Sequence, residues 1–346
     1  MRVYFFCRQP GPPEAAGYEH GLVALAEGFR ALGHEVAGNL DLWPVSGGWL
    51  IPRTEESPDS FDLAVISNES WTGPGSLPQG FTDVRGPKRV YVDLADGWRT
   101  EASTAQDWPA DLVLRAHYNR KYRYPSRVRP WAFGLTNRMI AATEGNVPAR
   151  VRPRTILCNF RVGHPVRDRL TTALKDSLDP SWSWDDRIDT APPEDSTALT
   201  LWRLTGRRHN PAYYRRLGQS QGCLAFGGFF APGLASAPSN PFGRASYKAM
   251  QRLGMTSKTL TQFDSWRFWE SLAAGTATVH APLEKWGAQF PVMPDDGYHF
   301  VSFDPQEPIA AFTERWETCL QADVGRSWAI QYYGPMAVAK RLLEML

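Results

Sequence analysis

Arg267 and Glu270 stand three residues apart in TQFDSWRFWESLAAGTATV, residues 261–279. Asp264 or Ser265 can cap a helix that runs to Ala274, with Gly275 ending it. Arg267 then sits in the first turn, where a cation is unfavourable by about 0.3–1 kcal/mol unless an anion compensates it. A ligand phosphate would satisfy both the helix end and the guanidinium. Glu270 shares that helix face, and its carboxylate can accept two hydrogen bonds, which suits a ribose diol. Arginine on phosphate with glutamate on ribose describes a site for a nucleoside diphosphate. The competing reading is an i,i+3 ion pair beside a Trp/Phe core stripe. A second candidate is Asp96, just past the apolar run RVYVDL (89–94). A carboxylate there faces a cleft and could take the proton of an attacking hydroxyl; the alternative is a helix cap or turn aspartate.

The elements that must position these residues follow a regular grammar. VYFF (3–6) reads as a strand buried on both faces. A helix follows from about Tyr18 to Leu32, with Leu22, Leu25, Ala26 and Phe29 on one stripe and Gly33 as its stop. His34–Val36 begins the next strand, which makes a βαβ opening. FDLAVIS (61–67), RVYVDL, ADLVLRA (110–116) and VRPWAF (128–133) continue the strands of an open α/β sheet. A polar, Pro-containing stretch at 145–154 suits a linker. The pattern then restarts with strands at TILCNF (155–160), TALTLW (197–202), GCLAFGG (222–228), TATVHA (276–281) and HFVSF (299–303), and closes with a helix from about Ser327 to Leu346. The expected fold class is therefore α/β: two Rossmann-like domains facing a cleft, at residues 1–150 and 151–325. Such sheets bind ligands at the carboxyl ends of their strands, and two of them can close on two substrates and exclude water.

Composition limits the alternatives. The 346 residues are 42% hydrophobic and 21% charged, a globular balance, and the net charge of +2 rules out a polycation. Cys7, Cys158, Cys223 and Cys319 are far apart and form no CxxC pair, which argues against a zinc ribbon or disulfide framework. No apolar run approaches the roughly 18–20 residues needed to span a bilayer, and MRVYFFCRQPGPP reads as a first strand, so a soluble, cytoplasmic protein is expected. Motifs such as G-x-G-x-x-G, G-K-[ST] and H-E-x-x-H do not occur, and no D-x-D stands at a strand end, so neither cofactor nor metal is implied. From Arg115 to Arg169 thirteen Lys and Arg stand against two acids, with Tyr118, Tyr122, Tyr124 and Trp131 interleaved. That tract, with Arg120 and Arg123 at its centre, can follow a nucleic acid backbone or line a cleft for an anionic substrate. Trp98 and Trp131 could stack on an acceptor sugar; ordinary core packing is the alternative for each.

ESLAAGTATV is similar to the E-A-M-A-x-G-x-P-V-V stretch of GT-B glycosyltransferases, and GYEHGLVALAEGFRALGHEV resembles their first helix and its run into G-H-E-V. WAFGL stands where that family has its last N-domain strand. Within the family, the phage DNA β-glucosyltransferases are closer in pattern. Their donor helix carries R-V-W-E, where this chain has Arg267-Phe268-Trp269-Glu270. Their F-R-x-G-x-R loop compares with Phe160-Arg161-Val162-Gly163-His164-Pro165-Val166-Arg167, the second arginine displaced by two residues. The resemblance implies that Arg161, Arg167 and Arg267 grip a diphosphate and that Glu270 holds a ribose. It implies a general-base aspartate at Asp96, with Asp93 the near competitor. It also implies that the helix at 326–346 returns to the N-terminal domain. In the inverting small-molecule members a histidine near His20 is the base, so a His20–Asp96 pair is a further possibility. The resemblance thus implies transfer of a sugar from a UDP-sugar or other nucleotide sugar to a hydroxyl acceptor (DNA, a glycan or a small molecule), with inversion. Two alternatives remain open at this level: a nucleotide-sugar epimerase-like enzyme, and a non-catalytic nucleotide- or nucleic-acid-binding protein.

Overall fold

The computed structural model describes residues 1–8, 19–69, 71, 74–97, 100–160, 165–227, 229–231, 241, 245, 249 and 259–346. The first sheet contains β1 (Arg2–Phe6), β2 (Glu35–Gly38), β5 (Leu63–Ser67), β6 (Lys88–Asp93), β7 (Leu112–Arg115) and β8 (Val128–Pro130), in the order β2-β1-β5-β6-β7-β8. Every neighbouring pair is parallel. A hairpin of β3 (Leu42–Val45) and β4 (Gly48–Ile51) leads away from β2. The second sheet contains β9 (Thr155–Leu157), β10 (Ser183–Asp185), β11 (Gly222–Leu224), β14 (Ala277–His280) and β15 (Val301–Ser302), in the order β10-β9-β11-β14-β15, again all parallel. A separate antiparallel ribbon pairs β12 (Phe229–Ala231) with β13 (Thr259–Gln262). The central strands of both sheets are buried along their length, as their near-continuous apolar sequences require.

The helices whose bounds are described are α1 (His20–Ala31), α2 (Gln79–Thr82), α3 (Glu101–Thr104), α4 (Asn137–Ala142), α5 (Pro165–Ser177), α6 (Ser196–Leu204), α7 (Pro211–Gln219), α8 (Trp266–Ala273), α9 (Ile309–Ala322), α10 (Gly325–Tyr333) and α11 (Pro335–Met345). The expected stripe of α1, Leu22, Leu25, Ala26 and Phe29, is fully buried. The expected terminal helix is two helices, because Pro335 lacks an N–H and Gly334 before it is extended. α11 returns across the molecule to pack on α1. The approach is so close that a Cβ at Gly28 would lie 2.0 Å from the Pro335 carbonyl oxygen.

One expected strand is a helix. TALTLW was expected as a strand but forms α6. Asp195 caps it by accepting the Ala198 N–H at 2.7 Å, and Ala198 and Trp202, four residues apart, are its buried face.

Candidate functional site

The carboxyl end of the second sheet gathers Phe160 beyond β9, Phe226 beyond β11 and His280 at the end of β14. Beside them α8 begins. The Ser265 hydroxyl accepts the Phe268 N–H at 3.4 Å, and no acidic residue stands in the first turn. The Arg267 guanidinium lies 5.0 Å from the centre of the Phe160 ring. Arg167, from the first turn of α5, lies 5.0 Å from the same ring and donates through Nε to the Phe226 carbonyl at 3.2 Å. Burial, and then the charge of Arg267, push Arg167 down to about 10. Arg267 Nε is buried with no hydrogen-bond partner among the described residues. Two cations thus converge on one aromatic ring, an arrangement that an anion would relieve.

Glu270 is buried, and its Oε1 accepts the Tyr214 hydroxyl at 2.8 Å. Arg138, from α4, donates to that same hydroxyl oxygen at 2.8 Å and lies 3.2 Å from His209 Nδ1. Arg138, Tyr214 and Glu270 therefore form one chain of hydrogen bonds across the two halves of the molecule. Among the described residues no ion pair joins Arg267 to Glu270, so the pair of oppositely charged residues read from the i,i+3 spacing does not close on itself.

The carboxyl end of the first sheet faces this cluster. Asp96 lies in the turn after β6, with 71% of its side chain exposed. The turn is held from below by Arg115, which is fully buried and paired with Asp93 at 2.9 Å. Arg115 also donates to the carbonyl of Ala95 at 2.7 Å and to that of Gly97. Asp93 is thereby committed to an internal ion pair, and Asp96 is the carboxylate left facing the cleft. Gln262, at the end of β13, donates its amide to Asp96 Oδ1 at 2.5 Å. His117 Nε2 lies 3.7 Å from the same oxygen.

His20 opens α1 but is fully buried. Its Nε2 lies 2.9 Å from the Phe133 carbonyl oxygen and 3.3 Å from that of Gly134, so this nitrogen must be a donor. Its ring stands edge-on to Trp266 at 3.9 Å, and burial holds its pKa well below the usual histidine range. Nearby, the Ser67 hydroxyl donates to Glu19 Oε2 at 2.7 Å, and burial raises Glu19 to about 7. Trp266 stacks on Phe133 at 4.8 Å and joins the two halves. Asp264 does the same with hydrogen bonds: it accepts the Phe133 N–H and the indole N–H of Trp269, each at 2.6 Å. Burial raises its carboxyl to about 8.

Arg161, Trp98 and His164 lie outside the described residues. Trp131 is buried in the hydrophobic core, its backbone N–H on the Arg115 carbonyl, and its buried ring is no acceptor platform. Arg120 is exposed but donates to the Glu284 carbonyl at 2.9 Å, a tie between the two halves. Arg123 is exposed in the same tract. In sequence, Gln262, His117, Asp264 and Tyr214 had no site role, and Asp264 stood only as a possible cap, a place that Ser265 takes. The first three stand at or just beyond strand ends, which was the available signal; Tyr214, within α7, carried none.

No protein-family model matches the chain, and no curated protein matches it in sequence. Solved structures do. An alpha-glucosyltransferase in complex with UDP-glucose and DNA containing an abasic site superposes with a TM-score of 0.55 at 11% identity, over 100% of this chain and 99% of that one. AviGT4, a glycosyltransferase involved in avilamycin A biosynthesis, gives 0.50 at 12% identity over 99% and 96% of the two chains. A glycosyltransferase from Rickettsia africae ESF-5 gives 0.50 at 10% identity over 99% and 97%. The fold is thus the GT-B arrangement of two Rossmann-like domains facing a cleft.

Proposed function

We propose that this chain transfers a sugar from a nucleotide diphosphate sugar, UDP-linked, to a hydroxyl acceptor. The observation that carries the reading is the pair Arg167 and Arg267 over the single Phe160 ring, beside buried Glu270 at the mouth of the second sheet. The two guanidiniums hold the diphosphate, with Arg161 as a third, and Glu270 takes the ribose through the oxygen not engaged by Tyr214. UDP and UDP-glucose are bound by the alpha-glucosyltransferase that shares the fold, which supports this donor class.

The acceptor sits against the first sheet. Its hydroxyl proton passes to Asp96 while the oxygen attacks the anomeric carbon. The bond from that carbon to the phosphate oxygen breaks, and its electron pair leaves on UDP, whose added charge the arginines stabilise. A base on the face opposite the leaving group gives inversion. His20 is less suited to this role, because its Nε2 already donates to backbone carbonyls. The domains run from 1 to 150 and from 151 to 325, with residues 326–346 returning to the first. The acceptor is a hydroxymethylated DNA base, a glycan or a small molecule. Arg120 and Arg127 of the basic tract spend hydrogen bonds on protein carbonyls, which leaves less of it for a phosphate backbone.

A second reading comes from the name of the alpha-glucosyltransferase. UDP-glucose is itself an α-glycoside, so an α product means retention, with the leaving phosphate taking the acceptor proton. Calorimetric titration with UDP tests the donor site; no binding by the wild type sinks the whole reading. Proton NMR of the product anomer, with Asp96→Asn beside the wild type, separates the two stereochemistries. Inversion predicts a β product and a loss of kcat of about 100-fold or more in the variant. Retention predicts an α product and a nearly unchanged rate. Salt-sensitive DNA retention in a gel would favour the nucleic acid acceptor.

A further inference from the structure

Glu270 is a buried carboxylate with few partners. Its residue is 4% exposed, and among the described residues its side chain accepts one hydrogen bond, from the Tyr214 hydroxyl at 2.8 Å. An ionised carboxylate has room for about four, and a charge taken out of water needs them. The two hydroxyls of a ribose would supply two more.

Tyr214 is itself held in place. Asn210 caps α7 by accepting the Ala212 N–H at 2.9 Å. The Tyr214 ring lies 5.2 Å from that of His209 and 5.4 Å from that of Tyr213. Arg138 reaches it from α4, in the other half of the molecule, and donates to the hydroxyl oxygen at 2.8 Å. A guanidinium only donates and an ionised carboxylate only accepts, so the hydroxyl proton points at Glu270. The same guanidinium lies 3.2 Å from His209 Nδ1, which must therefore accept, with the ring hydrogen on Nε2. Burial, and then the charge of Arg138, push His209 down to about 3, so the imidazole is neutral and brings no second cation. Glu270 thus meets a phenol polarised by a cation, where a direct bidentate pair with arginine would occupy both of its oxygens. The phenol takes one site on Oε1 and leaves Oε2 for a ligand.

We infer that Tyr214, polarised by Arg138, is a positioning residue that holds the Glu270 carboxylate for the ribose diol and so makes the donor site select ribonucleotides over their deoxy counterparts. Without the hydroxyl the carboxylate keeps its charge but loses its fixed direction, and a grip on two vicinal hydroxyls depends on direction. The phosphates are assigned to Arg167 and Arg267, so their binding should not depend on Tyr214.

The inference rests on the assignment of Glu270 to the donor ribose. The test is calorimetric titration of the full chain with UDP, with the dideoxy analogue that lacks both ribose hydroxyls, and with inorganic pyrophosphate. The wild type should prefer UDP over the dideoxy analogue by about 10-fold or more. Tyr214→Phe should cut that preference by about threefold or more, while the dideoxy analogue and pyrophosphate stay within about threefold of their wild-type affinities. Arg138→Met, which keeps the stem, should shift the preference the same way by about twofold or more. In a Glu270→Ala background, Tyr214→Phe should change UDP affinity by less than about twofold, because the group it aims is gone. An unchanged preference in Tyr214→Phe, or in Arg138→Met should the first variant not fold, overturns the inference. Equal losses for all three ligands do so too, as does a loss that persists without Glu270. A wild type that binds UDP and the dideoxy analogue alike removes the ribose assignment, and the inference with it. Failure of the wild type to bind UDP overturns the proposed function and this inference together. UDP binding that depends on Glu270 but not on Tyr214 overturns the inference alone.

Discussion

Replacing Arg267 by methionine should weaken nucleotide binding and strengthen the empty protein at once. The side-chain stem is kept, so packing changes little and the charge is the main loss. The guanidinium carbons of Arg167 and Arg267 each lie 5.0 Å from the Phe160 centre, so they are no more than about 10 Å apart. At an effective dielectric constant near 20 that separation gives about 1.7 kcal/mol of repulsion. Relief of a cation at the start of α8 adds about 0.3–1 kcal/mol. The cation–π contact with Phe160 is lost, at about 0.5–1 kcal/mol. The empty variant should therefore be about 1–2 kcal/mol more stable than the wild type, read as a higher urea midpoint at constant slope. In the complex, charge-assisted hydrogen bonds worth about 1.5–3 kcal/mol disappear, which weakens UDP by about 10- to 150-fold in calorimetry. A functional arginine held against repulsion predicts these opposite signs. UDP affinity within about threefold of the wild type, or a lowered urea midpoint, would refute the reasoning.

Glu270→Ala should weaken UDP by about 10-fold or more yet leave inorganic pyrophosphate within about threefold, because the glutamate is assigned to the ribose and not to the phosphates; equal losses for both ligands in calorimetry would count against that role. Gly28→Ala should destabilise the fold by about 1–3 kcal/mol in urea melts. Helix propensity favours alanine by only about 1 kcal/mol, and the added Cβ would meet the Pro335 carbonyl at 2.0 Å; a rise in stability would contradict the packing. Glu27 is buried and accepts the Asn137 N–H at 2.7 Å, and burial raises its carboxyl to about 7. Its folded pKa lies above its unfolded value near 4.5, so its contribution is fully present below about pH 4.5 and is lost as pH rises through about 7. Glu27→Gln should consequently gain on the wild type across that window, by at most about 1.4 kcal/mol per pH unit; a difference in stability that is constant between pH 5 and pH 8 would exclude this linkage.

The parallel sheets were legible because their strands are buried on both faces and show as continuous apolar runs such as VYFF and LAVIS. TALTLW misled because threonine and tryptophan are common in strands, while the helix is decided by the Asp195 cap and by Ala198 and Trp202. The ribbon of β12 and β13 and the hairpin of β3 and β4 were missed, since short antiparallel pieces have no long apolar run. In the site, Arg267, Glu270 and Asp96 stood out through local context: a helix start, its next face, a strand end. Trp131 could not be placed, because a buried and a cleft-facing tryptophan look alike in sequence. Gln262 and Tyr214 matter through partners 166 and 56 residues away, a relation that only the folded chain reveals.

The seat of α11 on α1 bears on how the protein is made. The face of α1 around Gly28 is covered by residues 335–345. A ribosome releases the strands of the first sheet, the last of which ends at Pro130, long before those, so that half must wait with an apolar helix face uncovered while the second sheet is synthesised. Its final packing is a late, long-range event that closes a loop of about three hundred residues. Early folding should therefore fall to the second domain, whose sheet is complete by Ser302, and a chaperone would find its client surface on α1 rather than at the cleft.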